Sequence, residues 1–397
     1  MDRRLLVLAL GMFALGTDSF VVAGVLPEIA RGFDISIGAA GQMTTVYAVS
    51  YALLAPVIAT LAAHVARKRL LLAGLGVFVL ANLGTAIAPS FGVALATRAL
   101  AGLGAAMFSP TATGAAASIV APERRGFALS VVIAGMTVST ALGAPIGALI
   151  GGFGDWRWTM MFVAALAAGS GLGVLAFLSH IPMLPAVSLR TRLSPLTDAR
   201  IGLTLATTFL FFSAAFTIYT YFAAVFDQVT GGNPARLGGL LVLWGAAGTI
   251  SNLLAGRLID RIGNRRVLVT MLGLVLADFV LLPWTSTSLV NAIPAILLWG
   301  ACGWGILVPQ QHRIVSIAPA VAPIVLGLNN SATFLGTTAA GMIGAAGIDL
   351  FGAQGLGTIA AVLVAGALLV SELAARKISA SSRDATLPAG ITEQGRA

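Results

Sequence analysis

The sequence has very little charge. Only 9% of its 397 residues are Asp, Glu, Lys or Arg, whereas soluble domains carry about 25%, so a water-soluble enzyme of this size is excluded. Cysteine is almost absent, because Cys302 stands alone and cannot form an intrachain disulfide. The sequence also lacks HExxH, GxSxG and any phosphate-binding glycine loop, and therefore offers no motif for a metal site or an enzyme active site.

The sequence consists largely of long runs of apolar residues. Hydrophobic residues make up 58% of the chain and its mean hydropathy is +0.97. A transmembrane helix needs about 20 apolar residues, whereas membrane-barrel strands alternate over only about 10, so runs of this length predict a helical bundle in a bilayer. We expect twelve spans, at residues 5–27, 41–63, 70–88, 93–117, 127–150, 158–179, 201–226, 237–258, 267–284, 290–311, 322–346 and 355–375.

The basic residues indicate how the spans are oriented. The net charge is +9, but lysines and arginines fall in small groups between the apolar runs rather than on one exposed face, so nucleic acid is not an expected partner. If the chain crosses the membrane twelve times, nineteen of its 23 basic residues lie on one side. The positive-inside rule then places both termini in the cytoplasm.

A long connection in the middle of the chain divides the spans into six and six. A short motif also recurs at an offset of 197 residues. Its members are Leu61, Lys68 and Arg69 in the first copy and Leu258, Arg265 and Arg266 in the second. We predict an N-terminal six-helix half at 1–179, a central loop at 180–200, a C-terminal six-helix half at 201–375 and a disordered tail at 376–397. Two repeated halves with a substrate site between them, near the membrane midplane, are typical of secondary transporters.

Two charged residues lie inside predicted spans. Asp18 lies 13 residues beyond Leu5, about 20 Å along a helix, and Arg98 enters its span from the other side, about 8 Å deep. The two should reach similar depth and could meet. Because a carboxylate inside a bilayer is costly unless it is paired or protonated, an acid that pairs with Arg98 in only part of a cycle is a candidate proton carrier; a static structural pair is the alternative. Asp278 lies nearer a span end, where we expect it to be wetted and structural.

Aromatic and amide side chains predict a cavity for flat, partly apolar ligands. The candidate lining residues are Tyr47, Tyr51, Phe212, Phe216, Tyr219, Tyr221, Asn329 and Asn330. In span 5, small residues recur at every fourth position from Gly135 to Gly151, which forms a stripe where another helix can approach closely, and Pro145 should bend the same helix. Near the end of span 12, Glu372 is expected to pair with Arg376 one turn later.

Three motifs resemble those of the major facilitator superfamily. Gly256–Arg266 reads GRLIDRIGNRR and is similar to the superfamily's loop signature GxLxDRxGRR, although its first-half counterpart has Ala63 where the acid belongs. Arg98–Gly104 resembles RxxQGxG with the glutamine lost, and Gly143–Gly147 is close to the exporters' antiporter motif in the variant GxPxG. The chain resembles the twelve-span drug:proton antiporter family of this superfamily, in a subgroup like the arabinose, nucleoside, purine and chloramphenicol exporters.

The resemblance implies the major facilitator fold, an all-α membrane protein of twelve transmembrane helices in two pseudo-symmetric six-helix halves. It implies a monomeric, proton-coupled exporter of small amphipathic organic molecules in the bacterial inner membrane, working by alternating access on the proton gradient without a cofactor. Asp18 and Arg98 are the expected proton-coupling pair. The expected gate residues are Asp260, Arg261 and Arg265 on the cytoplasmic side and Gly143, Pro145 and Gly147 in span 5. A dedicated exporter of sugars, purines or nucleosides is the alternative, and a membrane-embedded enzyme is a remote one.

Overall fold

The computed structural model describes residues 2–179, 181 and 188–386, and within them the chain is almost entirely helical, without a strand. Eleven stretches of the described chain are long and apolar enough to cross a membrane. Ten of them are single spans: α1 (Arg3–Gly24), α2 (Ile37–His64), α3 (Arg67–Ala86), α4 (Phe91–Ser118), α5 (Arg125–Phe153), α6 (Trp156–Phe177), α7 (Ala199–Thr220), α8 (Pro234–Ile262), α9 (Asn264–Thr285) and α10 (Leu289–Ile317).

The eleventh stretch, Pro319–Ala380, contains two spans. Its 62 residues would measure about 93 Å as one straight helix, about three times the thickness of a bilayer's hydrocarbon layer. Gly352 breaks it with φ 71° and ψ 174°, a conformation that only glycine adopts readily. We name the two parts α11 (322–351) and α12 (353–386), which gives the twelve predicted spans.

The predicted tail and central loop differ from the structure in one respect each. Helix α12 continues past residue 375 to Thr386, so the predicted tail is helical over its first part; residues 387–397 lie outside the described residues. In the predicted loop, the described part contains a short helix, Leu189–Leu193, and a 3₁₀ turn before α7. Residues 180 and 182–187 lie outside the described residues.

Short polar caps fix where several spans begin. The Ser90 hydroxyl accepts a hydrogen bond from the Val93 amide at 3.5 Å at the start of α4, and Asp198 accepts one from the Arg200 amide at 2.8 Å just before α7. Such caps satisfy amide groups that have no partner inside the helix. The Arg200 guanidinium also donates to Asp198 and holds the pKa of that carboxyl below its usual value.

The twelve helices pack as two groups. In the first, α1 packs against α5 and α6, while α4 packs against α2 and α3. In the second, α7 packs against both α11 and α12, and α10 packs against α8 and α9. Between the groups, α2 contacts α11 and α5 contacts α8. The space between the groups is where a substrate site of a two-half transporter would lie.

The two groups meet on the side of the bundle away from the termini. We name the side where Arg3 lies the terminal side and the other the opposite side. On the opposite side, the Gln42 amide donates a hydrogen bond to the Gly341 carbonyl at 3.2 Å, which joins α2 to α11. The Tyr221 hydroxyl donates to the same carbonyl at 2.9 Å, and Gly152 of α5 lies directly against Pro234 of α8. These contacts close the bundle on the opposite side.

Candidate functional site

The centre of the candidate site is a buried ion pair between α1 and α4. The Arg98 Nη1 atom lies 2.7 Å from Asp18 Oδ1, and the two side chains are 1% and 0% exposed. The expected meeting of these residues is therefore confirmed. The contact is single, because Asp18 Oδ2 and Arg98 Nε are buried without a hydrogen-bond partner among the described residues. The carboxylate thus keeps one oxygen available to a proton.

Two further side chains hold Arg98 in place. The Asn82 amide oxygen, from α3, accepts a hydrogen bond from Arg98 Nη1 at 3.4 Å, while its Nδ2 donates to the Phe78 carbonyl at 3.1 Å. The Tyr47 ring covers the guanidinium, with the Arg98 Cζ atom 4.8 Å from the ring centroid. Aromatic rings attract cations at this distance. The sequence interpretation assigned Tyr47 to the substrate cavity, whereas the structure places its ring over the ion pair.

Asn82 was missed by the sequence interpretation. It is a lone amide in an apolar span and is fully buried, and a buried amide must find partners. That isolation was the available signal. The sequence could not show that the partner would be Arg98, because the meeting depends on how α3 and α4 pack.

A polar contact near mid-span joins α2 to α11. The Asn330 Nδ2 atom donates a hydrogen bond to the Tyr51 hydroxyl at 3.0 Å, and the Tyr51 ring stacks on Phe334 with 3.9 Å between centroids. Asn330 is exposed although it faces another helix of the bundle. The space beside it, between α2 and α11, is therefore open, and we take this space as the candidate substrate cavity.

The neighbouring Asn329 does not line this cavity, so that prediction is corrected. It is 3% exposed, and its Oδ1 accepts a hydrogen bond from Thr208 of α7 at 2.7 Å. One residue along a helix turns a side chain by about 100°, which directs Asn329 toward α7 and Asn330 toward α2. Tyr221 also lies elsewhere, on the closed opposite side described above.

Aromatic rings bridge the two groups on the opposite side of the cavity. Phe20 of α1 contacts Phe216 and Tyr219 of α7, with 6.0 and 5.6 Å between ring centroids. It also contacts Trp304 of α10 at 5.6 Å and Trp244 of α8 at 6.3 Å. Both tryptophans lie well inside their spans, whereas tryptophan in membrane proteins is enriched at the interfaces. That position was the sequence signal for two cavity residues that the interpretation missed.

The predicted lining residues of α7 are all buried in this structure. Phe212 is 4% and Phe216 is 7% exposed, and they contact each other at 6.0 Å between ring centroids. The Tyr219 hydroxyl donates to the Phe20 carbonyl at 3.1 Å. These rings form the closed end of the cavity in the present conformation.

A groove lies on the terminal side of Asn330, within the second group of helices. It has a volume of about 460 Å³ and runs between Val308 and Gln311 of α10 and Leu326 of α11. Leu326 lies one helical turn from Asn330 and thus shares its face, and Val308 lies one turn from Trp304. The contacts that join the two groups thus lie on the opposite side, and this groove lies on the terminal side.

The glycine stripe of α5 packs against α1, as its spacing predicted. Added side-chain atoms at Gly135 and Gly143 would meet Ala9 and Thr17 of α1. The predicted interruption near Pro145 takes the form of a π-helical turn over Ser139–Gly143, immediately before the proline. The same turn meets α8, where Gly245 lies against the Thr140 backbone. Helix α5 thus contacts both α1, which carries Asp18, and α8 of the second half of the chain.

Comparisons with known proteins agree with this architecture. The sequence profile of the Major Facilitator Superfamily matches residues 8–341. The chain belongs to this family. It is 32% identical over 383 residues to the inner membrane transport protein YdhP of Escherichia coli (strain K12), covering 94% of this chain and 96% of that protein. It is 31% identical over 377 residues to the chloramphenicol resistance protein of Streptomyces lividans, with the same two coverages.

Two solved structures share the fold. The human organic anion transporter MFSD10 superposes with a TM-score of 0.69 at 19% identity, covering 93% of this chain and 99% of that one. The nucleoside transporter NupG superposes with a TM-score of 0.76 at 10% identity, covering 94% and 100%. The chain is accordingly a multi-pass membrane transporter with the major facilitator fold, and not an enzyme.

The signature loop of this transporter leaves its acid unpaired in the present conformation. Asp260 is exposed and makes no hydrogen bond or ion pair within the described chain, and Arg261 is exposed beside it. Arg265 instead pairs with Glu372 of α12, so the expected pairing of Glu372 with Arg376 is wrong. The predicted gate contact of Asp260 between the two halves is not formed among the residues that the structure describes.

Another acid inside a span, Asp278, is buried rather than wetted. It is 5% exposed in α9, which corrects the sequence expectation. Its helix packs against α10 and α12 in the second group of helices, whereas α1 and α4 belong to the first group. Asp278 therefore lies apart from the Asp18–Arg98 pair and is a useful reference residue for it.

Proposed function

We propose that this transporter is a proton-coupled exporter of small amphipathic organic molecules. The observation that carries the proposal is the buried Asp18–Arg98 pair, in which one carboxylate oxygen has no partner among the described residues. A charged pair this deep in a bilayer is costly to keep. A role of the ion pair in each transport cycle would account for the presence of so costly a feature.

The coupling step is a competition between a proton and Arg98 for one carboxylate. When a proton binds Asp18, the ion pair weakens and Arg98 is held by Asn82 and Tyr47. When the proton leaves, the pair reforms as seen here. Because Asp18 lies on α1, whose Gly16 and Thr17 pack against the π-helical turn of α5, a shift of α1 reaches the contact between α5 and α8.

The cavity favours flat ligands with apolar faces and a few polar groups. Its walls combine aromatic rings with the Asn330 amide, and the groove on the terminal side is mostly apolar. Such walls suit amphipathic organic compounds. The chloramphenicol resistance protein among the relatives supports a drug-like substrate.

We further propose the bacterial inner membrane as its location, with the terminal side in the cytoplasm and a monomer as the working unit. The conformation described here then faces inward, ready to load substrate from the cytoplasm. Export would follow when residues 1–179 and 201–375 rock against each other and the cavity opens on the opposite side.

A tolerance panel tests the proposed function. Cells that overproduce the wild type or Asp18→Asn would be challenged with phenicols, dyes, purine analogues and sugars. Raised tolerance to chemically unrelated compounds, lost in Asp18→Asn, is the expected result. Tolerance to one class alone would favour a dedicated metabolite exporter, and no tolerance to any class, with both proteins present in the membrane, would contradict export of these compounds.

A further inference from the structure

A cationic groove lies on the terminal side, between the beginning of α9 and the end of α12. It has a volume of about 310 Å³ and is lined by Arg265 of α9 and by Ala375, Arg376, Ser379 and Ala380 of α12. Arg265 is engaged with Glu372, whereas Arg376 makes no hydrogen bond or ion pair among the described residues. The groove therefore offers a guanidinium and a serine hydroxyl that are available to an anion.

The local charge is strongly positive. Arg313 lies behind the groove, buried, and donates to the Ser371 hydroxyl at 3.0 Å instead of pairing with an acid. Arg266 is exposed at the start of α9. Three arginines, Arg265, Arg313 and Arg376, therefore act on the single carboxylate of Glu372, and the excess positive charge favours an anionic ligand.

The groove lies at the depth of lipid headgroups. Helix α9 has 22 residues, or about 33 Å, close to the hydrocarbon thickness of a bilayer, so Arg265 at its beginning reaches the membrane surface. The same helix begins after Gly263 without a side-chain cap, and its first amide groups add partial positive charge at this end.

An apolar stripe leads from the groove into the bilayer. Leu373, Leu369 and Val362 of α12 are 52%, 68% and 67% exposed, and their spacing from Arg376 places them on the same face of the helix. A free phosphate would make no contact with this apolar stripe. A lipid would place its phosphate beside Arg376 and its acyl chains along the exposed side chains.

We propose that this groove binds the phosphate of an anionic phospholipid, between the beginning of α9 and the end of α12. The shared chemistry is a phosphate anion, which a free phosphate could also supply, and the apolar stripe assigns the site to a lipid. Arg376 is the principal donor, with Ser379 and the outer face of Arg265 beside it. This site does not depend on which solute the transporter moves.

Lipid retention tests the proposal. Purified full-length protein in neutral detergent would be titrated with phosphatidylglycerol, and the fraction of protein carrying one lipid would be measured by native mass spectrometry. Arg376→Gln should raise the half-saturating lipid fraction about fivefold, the effect of one basic residue at a membrane surface, and Arg376→Lys should restore most of the binding. Arg69→Gln, which removes an exposed arginine at the beginning of α3, is the matched control and should change nothing.

Three outcomes would overturn the proposal. Equal retention by wild type and Arg376→Gln, with unchanged unfolding temperatures, would remove the groove as the site. An equal loss in Arg69→Gln would show that only net charge matters. Displacement of the lipid by excess inorganic phosphate, or by the soluble headgroup glycerophosphoglycerol, would show that the groove takes a free phosphate anion and that the apolar stripe has no part in binding.

Discussion

At the scale of single residues, Arg98 is held by three different interactions. Asp18 supplies charge, Asn82 supplies a hydrogen-bond acceptor and Tyr47 supplies the face of an aromatic ring. Breaking a buried pair by removing one partner costs about 3–5 kcal/mol, so each change at this site has a consequence for stability as well as for coupling. The effect on stability and the effect on coupling can be separated by substitutions that remove one of the three interactions and keep the others.

Tyr47→Phe keeps the aromatic face over Arg98 and removes only the hydroxyl, whereas Tyr47→Ala removes both. We expect Tyr47→Phe to retain gradient-driven transport. We expect Tyr47→Ala to lower both transport and the free energy of unfolding, the latter by about 0.5–2 kcal/mol from the lost cation–π contact and more from the cavity left behind. Transport rates in proteoliposomes and thermal unfolding check this. Equal loss in both variants would show that the hydroxyl matters rather than the ring.

Arg98→Ala leaves nothing to compete with the proton for Asp18. The variant should therefore lose gradient-driven transport while it still exchanges substrate across the membrane without a gradient. Counterflow of labelled substrate, measured beside gradient-driven uptake in the same vesicles, separates these two activities. Retention of gradient-driven transport would refute the competition between Arg98 and the proton.

At the scale of helices, the contact between α5 and α1 depends on the absence of side chains. A Cβ atom at Gly135 would meet the Ala9 carbonyl of α1, which is backbone and cannot swing aside. Gly126, on the same helix, has nothing within 4 Å of the position where its Cβ would lie. The helix thus supplies a tight glycine and an open one for comparison.

Gly135→Ala should destabilise the protein by about 1–3 kcal/mol, the usual cost of overpacking. Gly126→Ala should be neutral or slightly stabilising, because alanine is the better helix former by about 1 kcal/mol. The midpoint of thermal unfolding in detergent measures both. A Gly135→Ala variant as stable as Gly126→Ala would show that α1 and α5 are not in close contact in the membrane.

At the scale of the whole molecule, the apolar runs predicted twelve spans whose ends lie within six residues of the observed helices, except that α12 continues to Thr386, eleven residues past its predicted end. The depth of Asp18 and Arg98 in their spans also indicated that the two could meet, and the structure brings them together. The apolar runs could not predict how each helix is rotated about its own axis. Asn329 and Asn330 are consecutive residues, and the packing of α11 against α7 decides which of the two side chains faces the cavity. Tyr221 and Asp260 were unpredictable for another reason, since their contacts depend on which side of the bundle is closed.

The exposed Asp260 predicts a shift between conformations. We expect this acid to hold the two halves together on the terminal side when that side closes. Asp260→Asn should then shift the equilibrium toward the conformation described here by the free energy of that contact, about 1–3 kcal/mol. Distances between spin labels at Val65 and Ile262, both exposed on the terminal side, would report the opening. A longer mean distance with intact folding is expected; unchanged distances with lower thermal stability would mean that Asp260 only orders its loop.

The central claim, that Asp18 exchanges a proton for substrate movement, is tested most directly by proton flux. Proteoliposomes would enclose a pH-sensitive dye, and a gradient of the best substrate from the tolerance panel would be imposed across the membrane. We predict proton movement against the substrate flow in wild type and in Asp278→Asn, the matched control for a buried acid, and none in Asp18→Asn although it still exchanges labelled substrate. Proton movement at the wild-type rate in Asp18→Asn would contradict the account.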